Sequence, residues 1–241
     1  DSQIVVVIFS PQEQGAADGT MSIFVNTPSD TILEVELTGW TPIDLNVELV
    51  RNEFLMPISF NVQNSREFLL HLRVSSDTNW TIPESESAVL TIYIDSTYSF
   101  QNQDIVLFKG DELFVYKVSL GIIDSGSHTI EVYFNGDKSP PGAQFVFLDE
   151  LSLVPIALKS RDYDVFRFSP VLYGRDLVSE DESVHTDVPL LMWHEVDTVE
   201  SDKWIEYSMI WSNEDGGTNS ISLMSRWGRT TDIEWIYKVK I

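Results

Sequence analysis

Apolar and polar residues alternate along most of this chain with the two-residue period of a half-buried β-strand. In ILEVEL (32–37), Leu33, Val35 and Leu37 share one face, and Ile32, Glu34 and Glu36 share the other. The same reading predicts strands at 3–9, 22–27, 46–50, 58–62, 68–74, 88–94, 104–108, 112–120, 128–134 and 144–154. Five more are predicted at 165–173, 189–196, 204–211, 220–227 and 232–241. Clusters of turn-forming residues, among them SPQEQGAADG, NTPSD and NGDKSPPGA, separate them. No segment keeps a helical period for more than about two turns. Short strands at this spacing predict an all-β fold, an antiparallel β-sandwich or jelly roll.

Composition divides the pattern in two. Residues 1–157 carry 6 basic and 22 acidic side chains, and residues 158–241 carry 9 and 16. Trp40 and Trp80 precede the break, whereas Trp193, Trp204, Trp211, Trp227 and Trp235 follow it. The expected units are a sandwich over 1–157, divisible near 76–87, and a Trp-rich β unit over 158–241. The last strand runs to Ile241 without a turn, so it is expected either to be a central C-terminal strand or to end where a larger protein continues, the second being favoured. The first strand, QIVVVIF, is apolar enough to pair with another subunit's sheet edge or within its own sheet.

SGSHTIEVYFNG followed by FVFLDELSLVP, within residues 111–155, resembles the last strands of galactose-binding-like jelly-roll carbohydrate-binding modules. In those modules a G-x-H-x-I/L-x-V strand precedes a final strand matched here by Phe147, Leu148, Asp149, Leu151 and Leu153. The resemblance implies a jelly roll, a carbohydrate ligand and a structural calcium ion.

Charge and missing residue types narrow the chemistry. The formal net charge of −23, from 38 acidic against 15 basic residues, speaks against the clustered Lys and Arg that phosphate contacts need, so nucleic acid is not an expected partner. The absence of cysteine removes disulfides, thiolate metal sites and thiol nucleophiles. No apolar run is long enough to span a membrane as a helix. The acidity and a first residue other than Met point to a secreted or cell-surface protein. No nucleophile elbow, phosphate loop, dinucleotide fingerprint or zinc spacing occurs. The expected function is therefore binding without catalysis, of a carbohydrate or another surface ligand. The alternatives are a subunit of a surface layer or filament, and a fragment of a polysaccharide-active enzyme.

Candidate site residues cluster late in the chain. In WSNEDGGTNS, Asn213, Glu214 and Asp215 supply oxygens for calcium beside a glycine pair, although the same residues suit the tip of a hairpin. Arg226 and Arg229 flank Trp227. They can pair with Glu214, Asp215 or Asp232, or hold an acidic group of a sugar. Trp204 falls on the polar face of its strand and is the expected exposed ring, with Trp227 as a further ligand-binding residue. Tyr207, Trp211 and Trp235 are expected in the core. His194 and Glu195 point to opposite faces and form no dyad, and His128 reads as a strand-start residue. Asn79-Trp80-Thr81 is a glycosylation sequon.

Overall fold

The computed structural model describes residues 15–25, 31–96, 103–158, 160, 162–172, 189–199, 202–212 and 231–241. Thirteen strands and one short helix lie among them. β1 (Gly15–Val25) and β2 (Thr31–Thr41) form an antiparallel pair, in register from Gly15 opposite Thr41 to Val25 opposite Thr31. Pairing along eleven residues draws Gly15–Gly19 into a strand, where the residue types alone indicated a turn.

The next eight strands are β3 (Ile43–Val50), β4 (Ile58–Val62), β5 (Arg66–Ser76), β6 (Ala88–Ile94), β7 (Gln103–Leu107), β8 (Phe114–Ile123), β9 (Gly126–Phe134) and β10 (Phe145–Pro155). They form two antiparallel four-stranded sheets, ordered β3-β10-β5-β8 and β4-β9-β6-β7. Successive strands cross between the sheets, except that β6 and β7 are neighbours in one sheet, which is the interleaved order of a jelly roll. The chain is thus an all-β sandwich, and residues 77–87 connect β5 to β6 within it. The two strands that carry the family resemblance, β9 and β10, are inner strands, one in each sheet.

Alternation explains the core. Leu70, Leu72 and Val74 of β5 meet Leu90 and Ile92 of β6, Ile130, Val132 and Phe134 of β9, and Leu148, Leu151 and Leu153 of β10, all fully buried. Each such side chain stabilises the fold by about 1.5–3 kcal/mol through burial. A bulge in β10 shifts the register between Leu148 and Glu150. Leu148 and Leu151 are therefore both inward, three residues apart. Asp149 and Glu150 both lie outward rather than on opposite faces, and Asp149 pairs with Arg73 at 2.8 Å.

Residues 165–173, read as a strand from the spacing of Val165, Phe166 and Phe168, instead begin in a short helix, α1 (Tyr163–Arg167). Asp164 in its first turn and Arg167 in its last complement the helix dipole, and Val165 is the buried position. The third sheet comprises β11 (Pro189–Val199), β12 (Asp202–Trp211) and β13 (Asp232–Lys240), with β12 central. Ile205 and Tyr207 of β12 pack with Val165 in a second core, joined by Met192, Ile236 and Val239. The Tyr207 hydroxyl donates to the Val165 carbonyl at 2.5 Å, and Lys203 pairs with Asp164 at 2.8 Å.

Candidate functional site

Two faces of the third sheet follow from the β12 alternation. Ile205, Tyr207 and Met209 are buried, so Trp204, Glu206, Ser208 and Ile210 lie on the other side. Register extends this open face across both neighbours. Leu191, Ile210 and Ile233 form one row; Trp193, Ser208 and Trp235 the next. Glu195, Glu206 and Lys238 form the third, and Asp197, Trp204 and Lys240 the last.

The position of Trp235 depends on one extra residue. Strict alternation would put Ile233, Trp235, Tyr237 and Val239 on a single buried face. The register of β13 shifts between the partners of Tyr207 and Ser208: Tyr237 faces Tyr207, Trp235 faces Ser208, and Ile236 is the added residue. The bulge turns Ile233 and Trp235 outward while Val239 stays with the core. Trp235 is accordingly 59 % exposed, Leu191 55 % and Ile233 43 %, against the sequence expectation that Trp235 is a core residue.

Neighbouring strands lie about 4.8 Å apart, so the Trp193 and Trp235 backbones are separated by roughly 10 Å with Ser208 between them. Two tryptophans thus flank a small hydroxyl residue in one row of the open face. Beside it, Lys238 pairs with Glu206 at 2.8 Å and Lys240 pairs with Asp202. Trp204 is on this face, as its alternation indicates, but it is half-buried. Lys238 and Lys240 place their ammonium groups 5.7 and 5.9 Å from its ring centroid. Its π-face is engaged by cations within the protein, a contact worth about 0.5–1 kcal/mol at an exposed site.

The other predicted site residues, Asn213, Glu214, Asp215, Arg226, Trp227 and Arg229, lie outside the described residues, as does the strand 3–9. Among the described residues no group of three or more His, Asp or Glu side chains could hold a metal ion. His194 and Glu195 face opposite sides of β11, as expected. A second aromatic surface lies on the sandwich, where Phe54 stacks on Tyr133 at 4.3 Å and approaches Tyr93 at 6.1 Å. These rings face one another, and the Tyr133 hydroxyl donates to Asn52 Oδ1 at 3.1 Å, so less ring face is left for a ligand than at Trp235.

Residues that spacing did not single out include Arg51. Its guanidinium donates to the carbonyls of Pro140 (2.8 Å), Ala143 (2.9 Å), Ser139 (3.0 Å) and Gly136, and so holds the loop between β9 and β10. No sequence signal pairs it with a loop so distant in the chain.

No family model and no curated protein matches the chain. Its neighbours among solved structures are mainly carbohydrate-binding modules. One is a carbohydrate binding module from Cellvibrio mixtus lichenase 5A in complex with cellotriose, 14 % identical, with a TM-score of 0.30, covering 58 % of this chain and 88 % of that one. Another is a family 35 carbohydrate binding module from Clostridium thermocellum, 12 % identical, TM-score 0.33, covering 58 % and 92 %. A ruminal endo-β-1,4-mannanase is 8 % identical at a TM-score of 0.33, and the match spans 45 % of this chain but only 19 % of the enzyme.

Proposed function

We propose that this chain is a secreted, non-catalytic β-sandwich protein that binds carbohydrate on the open face of the β11–β12–β13 sheet. The observation that carries the reading is the exposed Trp235, in one row with Ser208 and Trp193. Sugar rings present flat C–H faces that pack on indole and a rim of hydroxyls that need polar partners. The Trp–Ser–Trp row supplies the first, and the adjoining Glu195, Glu206 and Lys238 supply the second. Trp204, Trp227, Arg226 and Arg229 are proposed as further ligand-binding residues.

The test is a pull-down and titration against a panel of soluble and insoluble polysaccharides. Trp235→Ala is expected to weaken binding by about 2 kcal/mol, roughly thirtyfold in Kd. Phe54→Ala, on the sandwich, leaves it unchanged. Equal binding by wild type and Trp235→Ala would remove the site from this face.

Calcium is part of the proposal through Asn213, Glu214 and Asp215. Addition of a chelator is expected to lower the melting temperature, and an unchanged melting curve would remove the ion. A second reading, a subunit of an extracellular assembly, is favoured by exposed Leu191, Val196 and Val199 along β11. Sedimentation as a concentration-dependent polymer would support it, and a monomer at all concentrations would exclude it.

A further inference from the structure

His128 is the third residue of β9, opposite Phe60 of β4. Its Nδ1 lies 2.7 Å from Asp95 Oδ2, and its Nε2 lies 2.8 Å from the Asp124 carbonyl oxygen. Both partners can only accept. A neutral imidazole has one N–H and one lone pair, so it would set that lone pair against one of the two oxygens. The imidazolium ion, with two N–H groups, satisfies both.

The segment tied down in this way is strained. Asp95 and Ser96, just after β6, have φ of +55° and +53°, a left-handed conformation that non-glycine residues adopt at a cost. β9 holds them there. The Thr129 N–H donates to Asp95 Oδ1 at 2.8 Å, the Asp95 N–H donates to the Thr129 carbonyl at 2.9 Å, and Ser96 bonds Glu131. Asp124, at the other nitrogen, belongs to the turn between β8 and β9, where the Ser125 N–H donates to Ser65 Oγ at 3.0 Å.

We propose that His128 is a pH-sensitive latch. As imidazolium it fastens the strained Asp95–Ser96 turn to the Asp124 turn at one end of the sandwich, and loss of its proton releases them.

Among the described residues, the charged groups that face the ring are Asp95 just after β6 and Asp124 from the β8–β9 turn; from β4 it meets the Phe60 ring, with centroids 5.6 Å apart. Burial pulls the His128 pKa down, but the bonds and charges of Asp95 and Asp124 together raise it above the ordinary value. Burial pulls the Asp95 carboxyl up, and the bonds from His128 and Thr129 outweigh it, leaving the carboxyl below its ordinary value. The raised histidine contributes fully below about pH 6.5, and its contribution is lost as pH rises through the raised value. The depressed aspartate contributes fully above about pH 3.9, and its contribution is lost as pH falls through the lowered value. The latch is closed in mildly acidic solution and opens on the alkaline side.

NMR titration of the histidine ring nitrogens in the full chain tests this, alongside amide exchange at Asp95 and Thr129 corrected for intrinsic pH dependence. Expected are two protonated ring nitrogens on His128 in mildly acidic solution, a midpoint above the ordinary histidine value, and loss of protection through that midpoint. Asp95→Asn is expected to lower the midpoint. A singly protonated His128 at pH 6, protection that stays constant while His128 titrates, or a midpoint unmoved by Asp95→Asn would each overturn the proposal.

Discussion

Arg51 carries a guanidinium into a loop with no carboxylate at its bonding distance among the described residues and satisfies it with four backbone carbonyls. Removing it leaves those carbonyls short of a donor, so Arg51→Ala is expected to cost roughly 2–4 kcal/mol. The check is a denaturant midpoint, and a loss below about 0.5 kcal/mol would mean that water replaces the side chain. Two tyrosines give a pH signature. Burial pushes Tyr207 and Tyr116 up to about 12. The fold holds their protons more tightly than the unfolded chain does, so stability falls as pH rises from about 10 to about 12. Absorbance at alkaline pH should show both hydroxyls ionising late, and Tyr207→Phe should remove one late group. At this scale the sequence was a partial guide. The split of Ile205, Tyr207 and Met209 from Trp204, Glu206 and Ser208 was legible from alternation. The partners of Arg51 and His128 were not, because tertiary pairing brings together residues up to 92 positions apart.

At the scale of elements, period two located β4 and β6 to the residue and most other strands within a few. It failed where an extra residue interrupts the period. The bulge at Ile236 reverses the faces of Ile233 and Trp235 relative to Val239, and the bulge in β10 does the same for Asp149 and Glu150. Nothing in a run such as DIEWIYKVKI marks which residue will be extruded, since pairing with β12 decides it. Deleting Ile236 is expected to lower stability by about 1–2 kcal/mol through lost packing. It should leave Trp235 outward, because the pairing of Trp235 with Ser208 and Tyr237 with Tyr207 then needs no bulge. Retained ligand binding with a lower melting temperature is the expected outcome, and lost binding in a folded deletion would show that the bulge itself shapes the site. α1 was missed for a related reason: VFRF has the period of a strand, but Val165 is buried in one turn of helix that packs on Tyr207.

Across the whole molecule, the jelly-roll strand order and an added three-stranded sheet divide the labour. The sandwich buries a large apolar core and keeps its aromatic surface engaged with itself at Phe54, Tyr93 and Tyr133. The added sheet has one face against α1 and leaves three tryptophans on the other. The net charge of −23 disfavours polyanionic partners on both. Fold class was legible because many short alternating strands with turn residues between them admit few architectures. The proposed binding face was not, because it depends on register among β11, β12 and β13. The most direct test is the affinity of the wild-type chain and of Trp235→Ala for the same bound polysaccharide. The expected result is a roughly thirtyfold loss with an unchanged melting temperature, and undiminished affinity would contradict a ligand on this sheet.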